Sequence, residues 1–361
     1  MTVFFLPDLR GGGAERVMLN LLTEFHLSSD EEIVLLLGRN RGPLMNQVPE
    51  GIKVYDLEAG SAMKSLIPFV RFCQKHRPKK VIASLGSSLA AAMAKPFIPK
   101  GIEIINRLGN TIGAEKLLFK STLKRRLYIR ANKLIAQKSD KVIFQCHYMA
   151  EDFIQEVGVR PKSYKYIYNP VDIESTREKS ADPISEDFDF VSVGRLSPQK
   201  DYLTLLQAVR ILVREHQKDF KFLILGDGEQ MDMLQHKIKV FGIDDNVSLN
   251  GFTENPYPYM KKAKALISTS LYEGFSNVIV EALTLGVPVI ASDCPGANHE
   301  VIRQGKDGFL FEVGSGAALA KLILEEENSL LHLDRNDIKE TAIDRFNQKR
   351  IFQEYAEYID Q

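Results

Sequence analysis

The sequence predicts an α/β protein built from two doubly wound, parallel-sheet domains facing a cleft, and three observations carry that prediction. The 361 residues exceed what one hydrophobic core usually fills, so two domains are expected. Apolar runs of strand length alternate with segments of helical period from end to end, which requires crossover connections and therefore parallel sheets covered on both faces. Around Asn169 to Asp187 the chain turns polar and acidic, with Pro170 and Pro183, and periodicity lapses as in a linker. The domains are accordingly placed at 1–170 and 171–345. Residues 346–361 form a closing helix that can cross back to the first domain.

In the first domain the strand signals are Val3 to Leu6, Ile33 to Leu37, Ile52 to Leu57, Val81 to Leu85, Ile102 to Asn106, Val142 to Phe144 and Tyr166 to Tyr168. Between them Ala14 to Phe25 sets Val17, Leu21 and Leu22 on one stripe, and Leu66 to Lys75 follows the same period. The second domain repeats the pattern with Phe188 to Val193, Phe222 to Leu225, Val247 to Leu249, Ala265 to Ser268, Val289 to Ala291 and Phe309 to Phe311. Its helices are expected to begin near Asp201, Glu229, Ser276 and Gly316. In the last segment, Phe346 to Ile359, residues Phe352, Tyr355, Ala356 and Ile359 fall at helical spacing. Ligands of such sheets sit beyond the carboxyl ends of the strands.

Composition narrows the class. Apolar residues make up 44% of the chain, yet no stretch approaches the ~20 consecutive apolar residues of a membrane span. The opening Met1-Thr-Val-Phe-Phe-Leu-Pro has no basic head of a signal peptide, so a cytoplasmic location is expected. Cys73, Cys146 and Cys294 are odd in number and far apart, which fits neither a disulfide framework nor a metal cluster. Net charge is zero, but residues 1–170 carry 26 Lys/Arg against 15 Asp/Glu and residues 171–361 carry 21 against 32. The first half therefore suits an anionic partner, nucleic acid or a membrane surface. Nucleic acid is set aside, since no aromatic-rich basic strand or known motif accompanies the charge. Between Lys116 and Lys138 basic residues interleave with Leu117, Leu118, Phe119, Leu123, Leu127, Ile129, Leu134 and Ile135, and no acidic residue intervenes. That pattern describes either a basic amphipathic helix lying on an anionic leaflet or a packed helix with a solvated basic face.

Three stretches carry chemistry. Glu273-Gly-Phe-Ser-Asn-Val-Ile-Val-Glu281 opens a helix whose first amides can bind an anion, and its two carboxylates fall roughly on one face. Gly194-Arg195-Leu-Ser-Pro-Gln-Lys200 follows a strand and brings a planar fork and a mobile ammonium to the expected cleft. Gly11-Gly12-Gly13 lets backbone approach a phosphate, although a tight strand-to-helix turn explains the glycines as well.

Together with Gly-Gly-Ala-Glu-Arg16, Tyr168-Asn169-Pro170-Val171-Asp172, Gly226-Asp227-Gly228 and Gly286-Val-Pro-Val-Ile-Ala, these motifs occur in an order that resembles the retaining GT-B glycosyltransferases of family 4. The similarity covers essentially the whole chain, the second half more tightly. It implies two Rossmann-like domains, with Arg195 and Lys200 holding the donor diphosphate, Glu273 bonding donor-sugar hydroxyls and Glu281 the ribose. Gly274, Phe275, Ser276 and Asn277 would contact sugar and phosphates, and Gly11, Gly12 and Gly13 would close over the diphosphate. No metal or other cofactor is implied. Many relatives carry a histidine after the strand that reads here as Ile102 to Asn106. This chain has Arg107-Leu-Gly-Asn110 instead, so Arg107 or Asn110 fills that place, or sugar recognition differs. His147 reads as the cap of the helix after Phe144, or as a residue bordering the cleft.

The resemblance implies transfer of a hexosyl or N-acetylhexosaminyl group, with retention and without metal, from a nucleotide-diphosphate sugar to a glycan hydroxyl. A UDP-sugar is the expected donor. With the basic segment 116–138, it points to a lipid-linked acceptor, a polyprenyl-diphosphate oligosaccharide or a lipopolysaccharide or capsule intermediate, met on the inner face of the cytoplasmic membrane. A UDP-sugar epimerase of similar fold and a non-catalytic nucleotide-sugar-binding subunit remain as alternatives.

Overall fold

The structure, a computed structural model, describes residues 1–10 and 12–361. Gly11 lies outside the described residues. The chain divides into two compact units, Met1–Pro170 with Lys349–Gln361, and Val171–Gln348.

The first unit holds strands β1 (Thr2–Leu6), β2 (Ile33–Leu37), β3 (Lys53–Asp56), β4 (Lys80–Ser84), β5 (Glu103–Arg107), β6 (Lys141–Phe144) and β7 (Tyr164–Tyr166). They form one parallel sheet in the order β3-β2-β1-β4-β5-β6-β7. Every residue of β1 and β2 is buried, because helices cover both faces, and this is why they read as unbroken apolar runs. Phe5 stacks on Phe69 at 4.7 Å, and Phe4 meets Phe25 edge-on at 5.8 Å. The edge strands β3 and β7 keep polar, partly exposed residues. The winding reverses between β1 and β4, and at that crevice Leu85 holds a positive φ of 56°, a conformation costly for a side chain of its shape.

The second unit repeats the plan with β8 (Phe190–Val193), β9 (Phe222–Leu225), β10 (Val247–Leu249), β11 (Ala265–Ser268), β12 (Val289–Ser292) and β13 (Gly308–Phe311). Their order is β10-β9-β8-β11-β12-β13. Reversal falls between β8 and β11. Phe190 stacks on Phe222 at 5.1 Å, and Leu205, Leu206, Val209 and Leu212 of the helix Tyr202–Arg214 bury against the same core.

The expected α/β class and both parallel sheets are observed, while several elements differ. The stretch read as irregular linker contains the helix Ile173–Lys179, capped by Asp172, whose Oδ1 accepts from Ser175 N at 3.0 Å. Seven residues are too few to display a period. The basic segment is helical only over Thr122–Lys138, and Lys116–Leu118 is a separate 3-10 turn. Phe346 ends a preceding helix, Arg335–Phe346, and the closing helix is Gln348–Asp360. Ile351, Phe352, Tyr355, Tyr358 and Ile359 of that helix are buried. It is tied to the first unit by Lys80–Asp360 at 2.5 Å, by Lys141 Nζ on Ile359 O at 3.2 Å and by Ser163 to Tyr358 at 2.9 Å. The strand expected at Tyr166 to Tyr168 runs two residues earlier, as β7. No helix among the described residues is long and apolar enough to cross a membrane.

Candidate active site

Parallel strands deliver their following loops to one edge, and the loops after the two strands flanking the reversal lie side by side. In the second unit β8 and β11 are those strands, paired at Phe190 with Ala265. After β8 the chain passes through Gly194-Arg195-Leu196 into the 3-10 turn Pro198–Lys200. Tyr202 OH donates to Gly194 O at 3.1 Å and fixes the start of this loop. The loop after β9 runs against it so tightly that a Cβ at Gly226, where φ is 153°, would stand 1.8 Å from Gly194 O. Only glycine fits there.

The loop after β11 is stitched to the same turn. Thr269 Oγ1 donates to Lys200 O at 2.8 Å, Leu271 N to Gln199 O at 2.8 Å and Gln199 Nε2 to Tyr272 O at 3.0 Å. These bonds place Lys200 Nζ 2.5 Å from Glu273 Oε1, and Ser270 Oγ donates to the same oxygen at 2.6 Å. The Glu273 side chain is 8% exposed and that of Lys200 21%. Glu273 Oε2 has no protein partner among the described residues. From behind, Glu273 N donates to Pro295 O at 2.9 Å. A Cβ at Gly296, where φ is 138°, would come within 2.3 Å of Glu273 O. Two neighbours stay neutral: burial pushes the Tyr202 phenol up, and burial together with the charge on Glu273 pushes the Cys294 thiol up to about 12. Arg195 is exposed on the adjoining loop, with no carboxylate paired to it among the described residues.

Glu273 lies four residues before the helix Asn277–Thr284, so the two glutamates do not share a helix face; Glu281, half-buried, lies in the second turn. Ser276 occupies the N-cap without a side-chain cap bond, and its buried Oγ has no partner among the described residues. Phe275 anchors the turn by packing edge-on to Phe346 at 6.0 Å. Gly274 O accepts from Ala297 N at 3.1 Å. The result is a helix start, with its positive dipole end, four residues along the chain from the carboxylate that Lys200 pairs with, while the exposed Arg195 lies on the same loop as Lys200.

The remaining predicted residues belong to the first unit. Gly12 precedes the helix Gly13–Ser28 in extended backbone, and Gly13 opens that helix and is exposed. Arg107 is fully buried. Its Nε donates to Tyr355 OH at 3.0 Å, its Nη2 donates to Asn169 Oδ1, and its Nη1 has no partner among the described residues. Arg107 therefore pins the closing helix to the end of β5 and is not presented to solvent as a sugar contact. Asn110 is exposed and donates to Glu115 Oε1 at 2.6 Å. His147 does not cap its helix: Cys146 does, its Sγ accepting from Met149 N at 3.4 Å. Among the described residues no group of three His, Cys, Asp or Glu side chains could hold a metal ion.

Sequence reading missed Ser270, Gln199, Tyr202 and Gly296, which fix the ion pair. Ser270 carried a faint signal, three residues ahead of Glu273. Gly296 showed one in the Pro295-Gly296 pair after β12. The others are visible only once the loops after β8 and β11 are adjacent.

Residues 173–345 match the family described as glycosyl transferases group 1, and residues 11–175 match glycosyltransferase family 4. The chain is 28% identical, over 98% of each sequence, to the Campylobacter jejuni N-acetylgalactosamine-N,N'-diacetylbacillosaminyl-diphospho-undecaprenol 4-alpha-N-acetylgalactosaminyltransferase. It is 25% identical, over 96% of its own length and 94% of the relative, to the Escherichia coli UDP-Gal:alpha-D-GlcNAc-diphosphoundecaprenol alpha-1,3-galactosyltransferase. In fold it resembles Anabaena HepE in complex with UDP-glucose, with a TM-score of 0.79 and 22% identity over 100% of this chain and 99% of that one.

Proposed function

From the premise that this chain is a GT-B glycosyltransferase of family 4, we propose that it is a retaining, metal-independent enzyme that moves a hexosyl or N-acetylhexosaminyl group from a UDP-sugar to a hydroxyl of a polyprenyl-diphosphate-linked glycan. The observation that carries this reading is the Lys200–Glu273 pair, with Glu273 buried and Lys200 partly so, at the reversal between β8 and β11, with Arg195 exposed on the same loop as Lys200.

Arg195, Lys200 and the start of the helix Asn277–Thr284 are suited to grip a diphosphate, and Glu273 Oε2 to accept from a sugar hydroxyl. As the anomeric carbon–oxygen bond breaks, negative charge develops on the β-phosphate, where these cations and amides stabilise it. The acceptor hydroxyl then bonds to the anomeric carbon from the same face. Its proton passes to the departing phosphate oxygen. No second carboxylate nucleophile is invoked, so the glycosidase scheme with carboxyl groups ~5 Å apart does not apply. Cationic side chains take the part a metal plays elsewhere.

The lipid-linked acceptor is supported by two lines. Both relatives named above act, by their names, on diphospho-undecaprenol-linked glycans. In this chain Leu117, Leu118, Leu123 and Leu127 are exposed among the basic residues of 116–138, as in a surface that rests on an anionic leaflet. The proposed location is therefore the cytoplasmic face of the membrane, held peripherally.

The test incubates the protein with UDP-, GDP- and ADP-sugars and a polyprenyl-diphosphate glycan, with and without chelator, and reads the anomeric configuration of the product by NMR. Transfer only from a UDP-sugar, with retention and insensitivity to chelator, is expected. Inversion, chelator-dependent loss, or epimerised donor in place of transfer would overturn the reading. Failure to co-sediment with anionic vesicles at low salt would remove the membrane part alone.

A further inference from the structure

A cavity of about 580 Å³ lies in the first unit, between the helix His147–Val157 and the edge strand β7. The donor chemistry above uses none of its residues. Ala150 and Ile154 line its apolar floor. His147, Glu151 and Gln155, four residues apart in succession and so aligned on one helix face, form one wall, and Arg160, Tyr164 and Tyr166 the other. Tyr164 and Tyr166, two apart in a strand, point to the same side. Tyr166 meets the His147 ring edge-on at 5.4 Å and 87°, and its ring lies 6.5 Å from that of Tyr168. Arg160 braces Tyr164, with Nε 3.1 Å and Nη2 2.5 Å from the phenol oxygen and the guanidinium carbon 5.2 Å from the ring centre. His147 Nε2 lies 3.6 Å from Glu151 Oε1.

This chemistry matches a neutral, polyhydroxylated ligand. Aromatic faces above an apolar floor suit the C–H face of a sugar ring. The imidazole, carboxylate, amide and guanidinium around them supply both donors and acceptors for hydroxyls. Arg160 and Glu151 cancel in charge, so nothing favours a phosphate over an uncharged group. The volume falls within the ~300–1,000 Å³ of small-ligand sites and accommodates a short oligosaccharide rather than a single ring. Position agrees: His147 follows the carboxyl end of β6, the ligand-bearing edge of the sheet, and the groove runs from there along the helix.

We propose that this groove is a second glycan subsite, holding acceptor sugars remote from the hydroxyl that reacts. It rests on the transferase reading only for what the glycan is. The probes are the methyl α-glycosides of N-acetylgalactosamine and of its α1,4-linked di- and trisaccharides. Binding is read by saturation-transfer NMR without donor, for wild type, Tyr166→Ala, Arg160→Ala and the conservative Tyr166→Phe. Wild type and Tyr166→Phe bind the trisaccharide, and the two alanine variants bind it at least about tenfold more weakly while keeping the wild-type circular dichroism spectrum. In transfer assays the same variants raise KM for the trisaccharide about tenfold and leave kcat and donor KM unchanged. Equal binding by wild type and both alanine variants overturns the proposal. So does failure of wild type to bind the trisaccharide, or self-association through β7 in sedimentation in place of glycan binding. Because binding is measured without turnover, a protein that holds the probe but transfers no sugar refutes the transferase reading and spares the subsite.

Discussion

Replacing Lys200 by methionine keeps the side chain's length and removes the cation that Glu273 faces. With Nζ and Oε1 2.5 Å apart, the charge centres are ~3.5 Å apart, and at an effective dielectric of about 20 they attract by roughly 4–5 kcal/mol. Part of that is offset by desolvation, chiefly of Glu273, whose side chain is 8% exposed against 21% for Lys200. A net coupling of about 2–3 kcal/mol is expected. The assay is a double-mutant cycle by urea denaturation on wild type, Lys200→Met, Glu273→Gln and the double variant. Lys200→Met should be the costliest single change, because among the described residues it leaves the Glu273 carboxylate with the Ser270 hydroxyl alone, and the double variant should recover about 2 kcal/mol of the summed costs. Additivity within ~0.5 kcal/mol would refute the claim that the two loops present one coupled unit. UDP at a hundred times its Kd should stabilise wild type by about 2.7 kcal/mol, and Lys200→Met far less at the same concentration.

Arg195→Ala and Lys200→Ala should each lower kcat by roughly a hundredfold or more, with unchanged circular dichroism; wild-type rates would remove the diphosphate assignment. Gly296→Ala forces a methyl against Glu273 O from a backbone φ of 138° and should cost about 1–3 kcal/mol in urea denaturation while raising donor KM. Arg107→Met removes the donor to Tyr355 OH and should cost about 2 kcal/mol, with faster hydrogen exchange in the helix Gln348–Asp360. Burial raises the thiols of Cys73 and Cys294 from 9.0 to about 12, so the unfolded chain ionises them first. Stability should hold below pH 8 and fall as pH climbs from 9 toward 12, by up to ~2.7 kcal/mol per unit for the pair, and Cys73→Ala with Cys294→Ala should flatten that slope.

The sheets were legible because their strands are buried on both faces, and β2, β9, β10 and β11 occupy the residues that the apolar runs mark. Edges were less so: β7 is polar and short, and its apparent place slid by two residues. The helices Ile173–Lys179, Tyr257–Lys262 and Asn298–Val301 run two turns or fewer, below the length at which a 3.6-residue period can be seen. At the site, Arg195, Lys200 and Glu273 were readable as motif residues. Their pairing was not, since Lys200 and Glu273 stand 73 residues apart and meet only because β8 and β11 are neighbours. Arg107 shows the converse. A cation at the end of a strand suggests a ligand contact, and nothing local reveals that Tyr355, 248 residues on, takes up its Nε.

The closing helix has a consequence for biogenesis. The first unit includes the thirteen residues Lys349–Gln361, so it cannot be completed until the whole of the second unit, Val171–Gln348, has been translated. At roughly 5–20 residues per second the intervening stretch takes about 10–40 s to emerge. Throughout that interval the surface destined for Ile351, Phe352 and Tyr355 stands bare, and Arg107 waits there for a phenol not yet made. The half translated first is thus the half finished last.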